Sequence, residues 1–495
     1  MMLALAMKTT HFVRLSLLLA LPVTAADTNT PSRVLPLREC IERALANNLE
    51  IHVERLQPSI ANWGVVARRA AFDPSLQVAL AYDDTQSPLS DGTSSRTKQL
   101  APRLSLGGLL PTGTEYSLSG ADAATSVTGA NGFTYTGNLG LSLSQPLLRN
   151  FGTDVNTAAI RIAQRGRTIA IHNFTSQVMA TISSVGNAYY ELVFAIENHK
   201  AKHEDLTRAK RLLDENRKRV EVGVLSPLDV TQAEAGVAER EEAVIVAERS
   251  IRDRENALKR LVLADVREWQ GTVLVPTELP LAETVLTDVV ESTRTALTRR
   301  PDFLATKEEI ERRNIQVRYQ RNQLWPSVDL QASGGLNGRS GTGFGSLTER
   351  ELRGQNPAWG LGLVVTVPLG NRQARANYRT AQLSAAEAVL NLKQLEQNIV
   401  IEVDNAVGRV ATNGKRIEAT QAASRLAEES LKAEESKLKA GTSTSFLVLQ
   451  AQSQLAAARS AAIRARADYY QSLIELARVE GTTLEKNQIV LDEKF

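Results

Sequence analysis

Cysteine occurs once in the 495 residues, at Cys40. A single thiol excludes an intramolecular disulfide framework and any cysteine-built zinc cluster. Aromatic residues make up only 5%, few for large compact cores. Neither sign of charge is in excess, with 58 Lys and Arg against 55 Asp and Glu, so no nucleic-acid footprint is expected. Apolar runs long enough to span a bilayer as a helix are missing too. The run Leu15–Leu21 is too short for that and follows Lys8, His11 and Arg14. With the small residues before Asp27, it reads as a signal peptide over 1–25, cleaved after Ala25 or Ala26, with Met7 an alternative start. Cys40 sits in PLREC, which is not a lipobox, so no lipid anchor is expected. The mature chain is exported, and any membrane span in it must be made of strands.

Ala, Leu, Glu, Arg and Gln fill long helical stretches instead. The turn RVEVGVLSPLDVTQAEAG, Arg219–Gly236, divides the first of them. Gly223 reads as the C′ glycine of one helix. Ser226, Pro227 and Asp229 read as N-cap, N1 and N3 of the next, close to a capping box with Asp in place of Glu. A second copy begins at Lys437, and without a gap Gly441 matches Gly223, Thr444 matches Ser226 and Gln450 matches Gln232. Two helical hairpins with matching tips follow.

The duplication extends further. Pro74-Ser75 and Pro326-Ser327, 252 positions apart, each end a helical segment and open an alternating strand. The expected first repeat is 26–270: a helix over Leu37–Ala71, strands near 74–84 and 136–146, a long helix 153–222 and a helix 227–264. After a linker at 271–290, the second repeat is 291–481, with strands near 326–336 and 358–368 and helices 372–440 and 445–480. A tail, 482–495, closes the chain. Ser/Gly-rich loops are expected at Gln86–Lys98 and Gly334–Gly345. The insertion Lys98–Thr128 reads as a further hairpin turning at Pro111-Thr112-Gly113, with no counterpart in the second repeat.

Four core strands of about nine to eleven residues suffice to cross a bilayer when tilted. Each pairs an apolar face with a small or polar one, which fits a soluble sandwich as well as a membrane wall. The signal peptide and the aromatics near strand ends (Tyr82, Phe133, Tyr135, Trp325, Trp359) favour the wall. Four strands cannot close around a pore, so several copies must contribute. The long helices, at 1.5 Å per residue, reach about 100 Å, and Gly186, Gly408 and Gly414 are candidate bends within them.

In this order and spacing the sequence resembles the TolC family of outer-membrane channel-tunnel proteins. The resemblance rests on the two-fold repeat, on the strand exits GLSLSQPLLRNFG and GLVVTVPLGN, and on the tips VGVLSPLDVTQA and AGTSTSFLVLQA. It implies a mainly α fold with transmembrane β: a homotrimer with a shared β-barrel, normally of twelve strands, on a periplasmic α-helical barrel. It implies an exit duct for efflux or type I secretion, embedded in outer-membrane lipid. Its partners would be a periplasmic adaptor and an inner-membrane pump of the RND or ABC class. Transport is passive, so no catalytic residues, cofactor or metal are expected. By position, the docking tips are Gly223, Val224, Leu225, Ser226 and Asp229, with Gly441, Thr442, Ser443 and Thr444. The acidic pair that some members carry at the constriction falls on Leu447 and Gln450, so an apolar and amide lining is expected there. Asp229 reads first as a helix N-terminal carboxylate and second as a partner in contacts between tips.

Other constellations carry less. His199 and His203 share a helix face but lack a third ligand. Gly408–Lys415 is a poor phosphate loop within a helix. Gly338–Gly345 reads as a loop, and Asn173-Phe174-Thr175 is a sequon on a helix. The competing class is a soluble periplasmic coiled-coil adaptor, which would need a lipoyl-like β module that is not found. An enzyme ranks third.

Overall fold

The computed structural model describes residues 32–90, 92–129, 132–277, 288–354 and 356–491. The expected signal peptide, residues 278–287 of the linker and residues 492–495 of the tail lie outside the described residues. The first half runs β1 (Ser32–Leu35), α1 (Leu37–Asn47), α2 (Leu49–Arg69), β2 (Ser75–Pro88), β3 (Ser94–Leu109), β4 (Glu115–Val127) and β5 (Thr134–Pro146). It continues through α3 (Thr153–Asn156) and α4 (Ala158–Glu221) to α5 (Pro227–Val262). The second half runs β6 (Val273–Pro276), α6 (Val289–Arg299), α7 (Pro301–Asn322), β7 (Ser327–Ser340), α8 (Phe344–Leu352) and β8 (Pro357–Thr366). Helices α9 (Arg372–Lys439), α10 (Ser445–Glu480) and α11 (Thr483–Lys486) complete it.

The helices form one layer, four across. Next to the sheet their order is α2, α4, α7, α9; towards the tips α5 replaces α2 and α10 replaces α7. The seam of α4 buries Val178, Ile182, Val185, Tyr189 and Leu192, alternating steps of four and three. That 3.5-residue spacing is the knobs-into-holes pattern, and Ile399, Val403, Ala406 and Val410 repeat it on α9. At mid-height Tyr190 stacks on Tyr470, with ring centroids 5.0 Å apart. Neither α4 nor α9 breaks at its glycines. Gly186 serves close packing instead: a Cβ there would lie 2.5 Å from Ile474 Cδ1 of α10.

Where one helix was expected over Leu37–Ala71, two form, divided at Asn48. The Asn48 side-chain Oδ1 accepts from the Glu50 and Ile51 amides, and its Nδ2 donates to Leu261 O at 3.0 Å. The same break recurs 252 positions on at Arg300, whose guanidinium binds Asp302 and Glu402. β1, ahead of the expected first helix, and β6, within the segment read as linker, pair in parallel and bury Leu35 and Leu274.

The expectation of four core strands is corrected by the sheet, which among the described residues has six in the order β2-β3-β4-β5-β7-β8, each antiparallel to its neighbours. The insertion supplies β3 and β4, joined by a turn in which Gly113, at φ 94°, donates to Leu110 O. Both expected loops are shorter than read, because Gln86–Pro88 and Ser94–Lys98 belong to β2 and β3, and β7 extends to Ser340. Gly137 and Gly338 are strand residues over which α8 packs, with Leu347 buried and Glu351 beside Asp122.

Register sorts the six strands onto two faces. On one, Val78 pairs with Leu104, Leu106 with Leu118, Leu118 with Leu141, and Leu330 with Leu363. On the other, Gln77 pairs with Ser105, Ser119 with Gly140, Ser142 with Ser333, and Ser333 with Gly360. Val78, Leu80, Leu361 and Leu363 are 60% exposed or more. No helix among the described residues is long and apolar enough to cross a membrane.

Candidate functional site: the paired helix tips

The strands and the tips sit at opposite ends of α4 and α9, so the site opens where α4 meets α5 and α9 meets α10. Both turns close in the same way. Val224 N–H donates to Arg219 O at 2.8 Å and Gly223 N–H to Val220 O at 2.9 Å; Thr442 and Gly441 repeat this onto Lys437 and Leu438. This is the Schellman arrangement, which needs a left-handed residue at C′. Gly223 and Gly441 supply it at φ 77° and 76°. A side chain at either position would strain the backbone by about 1 kcal/mol.

The next step differs between tips. At the first, Ser226 Oγ accepts from Leu228 N–H while Asp229 Oδ2 accepts from Ser226 N–H at 3.2 Å, and Pro227 fills N1. This completes the capping box read from the sequence. At the second, Thr444 Oγ1 accepts from Leu447 N–H at 3.4 Å, and Leu447 itself occupies N3. No carboxylate returns to the N-cap there. A different one serves the turn: Glu434 accepts from Ser443 Oγ and pairs with Lys437 at 3.2 Å. The Ser443 hydrogen bond, then Lys437, holds the Glu434 carboxyl below its ordinary range.

Two contacts bring the tips together. Arg219 donates to Leu438 O at 3.2 Å, placing a guanidinium at the negative end of α9. Asn216, fully buried, donates from Nδ2 to Asp229 O at 3.3 Å and accepts from Ser445 Oγ at 3.1 Å. One amide on α4 therefore ties the first turn of α5 to the first turn of α10. Sequence reading missed it; the only local signal was an Asn inside a helix. About 24 Å from the tip, judged from the helical rise, the buried pair Arg240–Asp205 at 3.0 Å fixes α5 against α4, and Arg240 also donates to Ser453 of α10. Arg459 joins Glu204 and Glu428 across three helices.

Around this polar knot the surface is apolar. Val222, Val224, Leu228 and Phe446 are each exposed by more than half, and Leu447 is 43% exposed. Gln450 is exposed on α10 about one turn beyond Leu447. Val448, between Leu447 and Gln450, is fully buried with Leu212 and Leu438. The remaining sequence-singled residues stand apart: His199 and His203 lie with ring centroids 6.5 Å apart on α4.

Comparison with known proteins agrees with this architecture. The model of the outer membrane efflux protein family matches residues 40–262 and 293–482, one segment in each repeat. Among curated relatives, outer membrane protein OprJ of Pseudomonas aeruginosa is 24% identical over 93% of this chain and 83% of its own. Outer membrane efflux protein BepC of Brucella suis is 23% identical over 72% and 74%. The solved Campylobacter jejuni CmeC outer membrane channel superposes with a TM-score of 0.68 at 18% identity, covering 93% of this chain and 90% of that one. With most of both repeats matched by a single family model, the chain belongs to the outer membrane efflux protein family.

Proposed function

We propose that this chain is the outer-membrane exit duct of a tripartite efflux or type I secretion system and works as a homotrimer. A six-stranded, two-faced sheet carries the reading, continuous with helices of about 100 Å. The sheet's apolar face meets outer-membrane lipid and its Gly/Ser face meets water. The helices cross the periplasm, and cargo passes through the space that three copies enclose.

The tips are the proposed docking surface for a periplasmic adaptor above an inner-membrane RND or ABC pump. Gly223, Val224, Leu225, Ser226 and Asp229 form one half of it, and Gly441, Thr442, Ser443 and Thr444 the other. The exposed apolar side chains at Val224, Leu228 and Phe446 support this, since surface apolar clusters commonly mark protein contacts. Leu447 and Gln450 are the proposed aperture lining. Replacing both with Ala in the purified channel should raise single-channel conductance in planar bilayers, and unchanged conductance removes them from that role. Recovery of the mature chain as a monodisperse soluble monomer, absent from outer-membrane fractions, would overturn the duct reading altogether.

A further inference from the structure

Among the described residues the sheet ends in two unpaired edges, β2 and β8. In lipid every backbone donor and acceptor must be satisfied, so neither edge can stay open. The six strands alternate in direction, which leaves the two edges antiparallel to each other. β8 of one copy can therefore continue the ladder onto β2 of the next, and any number of copies closes with an even strand count. We propose that three copies close an eighteen-stranded barrel, in which the inserted β3–β4 hairpin is part of the membrane wall. This rests on the trimeric duct reading above.

The hairpin carries the alternation of its neighbours in phase. Leu104, Leu106 and Leu118 fall on the apolar face with Val78 and Leu141, while Ser105 and Ser119 fall with Gln77 and Gly140. A hairpin standing outside the wall would have no reason to keep both its phase and its ladders to β2 and β5. Width follows from the count. Strands spaced about 4.8 Å apart and tilted about 40° close eighteen into a ring of about 36 Å, and twelve into about 24 Å. Three four-helix layers, with axes 8–10 Å apart, make a ring of about 30–38 Å. Eighteen strands thus meet the helical ring without a step. The outer mouth then sets no narrower limit on cargo than the tunnel below it, and selection by size is left to the tips.

Electron cryomicroscopy of the full channel in lipid nanodiscs tests this. The expected result is a trimer whose barrel has eighteen strands and a backbone diameter near 36 Å. A trimer with twelve wall strands and an expelled hairpin overturns the inference and leaves the duct reading standing. A particle that is not trimeric overturns both. Disulfide trapping in outer membranes, in a Cys40→Ser background, checks the neighbours independently. Gln77→Cys with Ser105→Cys, and Ser119→Cys with Gly140→Cys, should each cross-link within a chain. Cross-linking of Gln77→Cys to Gly140→Cys instead would place β2 against β5 and refute the wall.

Discussion

Asn216 makes the sharpest mutational prediction. Its side chain is fully buried, and so is Ser445, whose hydroxyl donates to it at 3.1 Å. In Asn216→Ala the Ser445 hydroxyl keeps its burial and loses its acceptor, which costs about 1–3 kcal/mol. The Asp229 carbonyl loses one of its hydrogen bonds as well. Because these partners sit on α5 and α10, the loss falls on the packing of the two tips and not on α4 as a helix. At about 2 kcal/mol, the equilibrium for separating α10 from α4 shifts about 30-fold. Hydrogen exchange should report this as faster exchange of the first turns of α5 and α10, with α2 and the sheet unchanged. Channel recordings should show higher open probability. The double variant Asn216→Ala/Ser445→Ala should recover much of the loss, because removing both partners costs less than orphaning one. Uniform acceleration of exchange along α4, or a double variant as leaky as the single one, would refute the reasoning.

Three other outcomes follow from the same contacts. Leu447→Asp restores a carboxylate at N3 of α10 and should stabilise the second tip by about 0.5–1 kcal/mol, read as slower exchange there, an effect that high salt weakens. At Asp302 burial pushes the carboxyl up, but the Arg300 guanidinium outweighs it and holds the group below its ordinary range. A depressed carboxyl stabilises the fold above its unfolded pKa, near 4, and that contribution is lost as pH falls through the folded value. Thermal unfolding between pH 6 and about 3 should thus show a steeper loss for the native chain than for Asp302→Asn, and parallel curves would exclude the group. The buried Cys40 thiol is pushed up to about 12 by burial and then by Glu39. Maleimide at pH 7 should leave it unlabelled in the native channel and label it after denaturation.

Much of the fold was legible because its rules are local. The Gly223 turn, the Ser226 cap, Pro227 and Asp229 all act within a few residues of one another, and they stand as read. The break at Asn48 was also local, but apolar periodicity runs through it and conceals it; what fixes it is Leu261, more than two hundred residues away. Asn216 could not be found for the same reason, since its partner Ser445 lies 229 positions along the chain. The inserted hairpin was readable as a hairpin from Pro111-Thr112-Gly113. Its place in the sheet depended on pairing with β2 and β5, and pairing is not written in either strand alone.

Gly186 has a mechanical consequence. Its missing side chain lets Ile474 press against the α4 backbone, so at this level α10 lies closer to α4 than a side chain there would allow. From there α4 runs another 35 residues to Glu221, about 52 Å of rod. A change of spacing at that level is passed along a stiff rod towards the tip, where the Arg219 and Asn216 contacts meet it. The depth of one methyl-sized notch at mid-tunnel therefore acts on the tip spacing together with the Arg219 and Asn216 contacts.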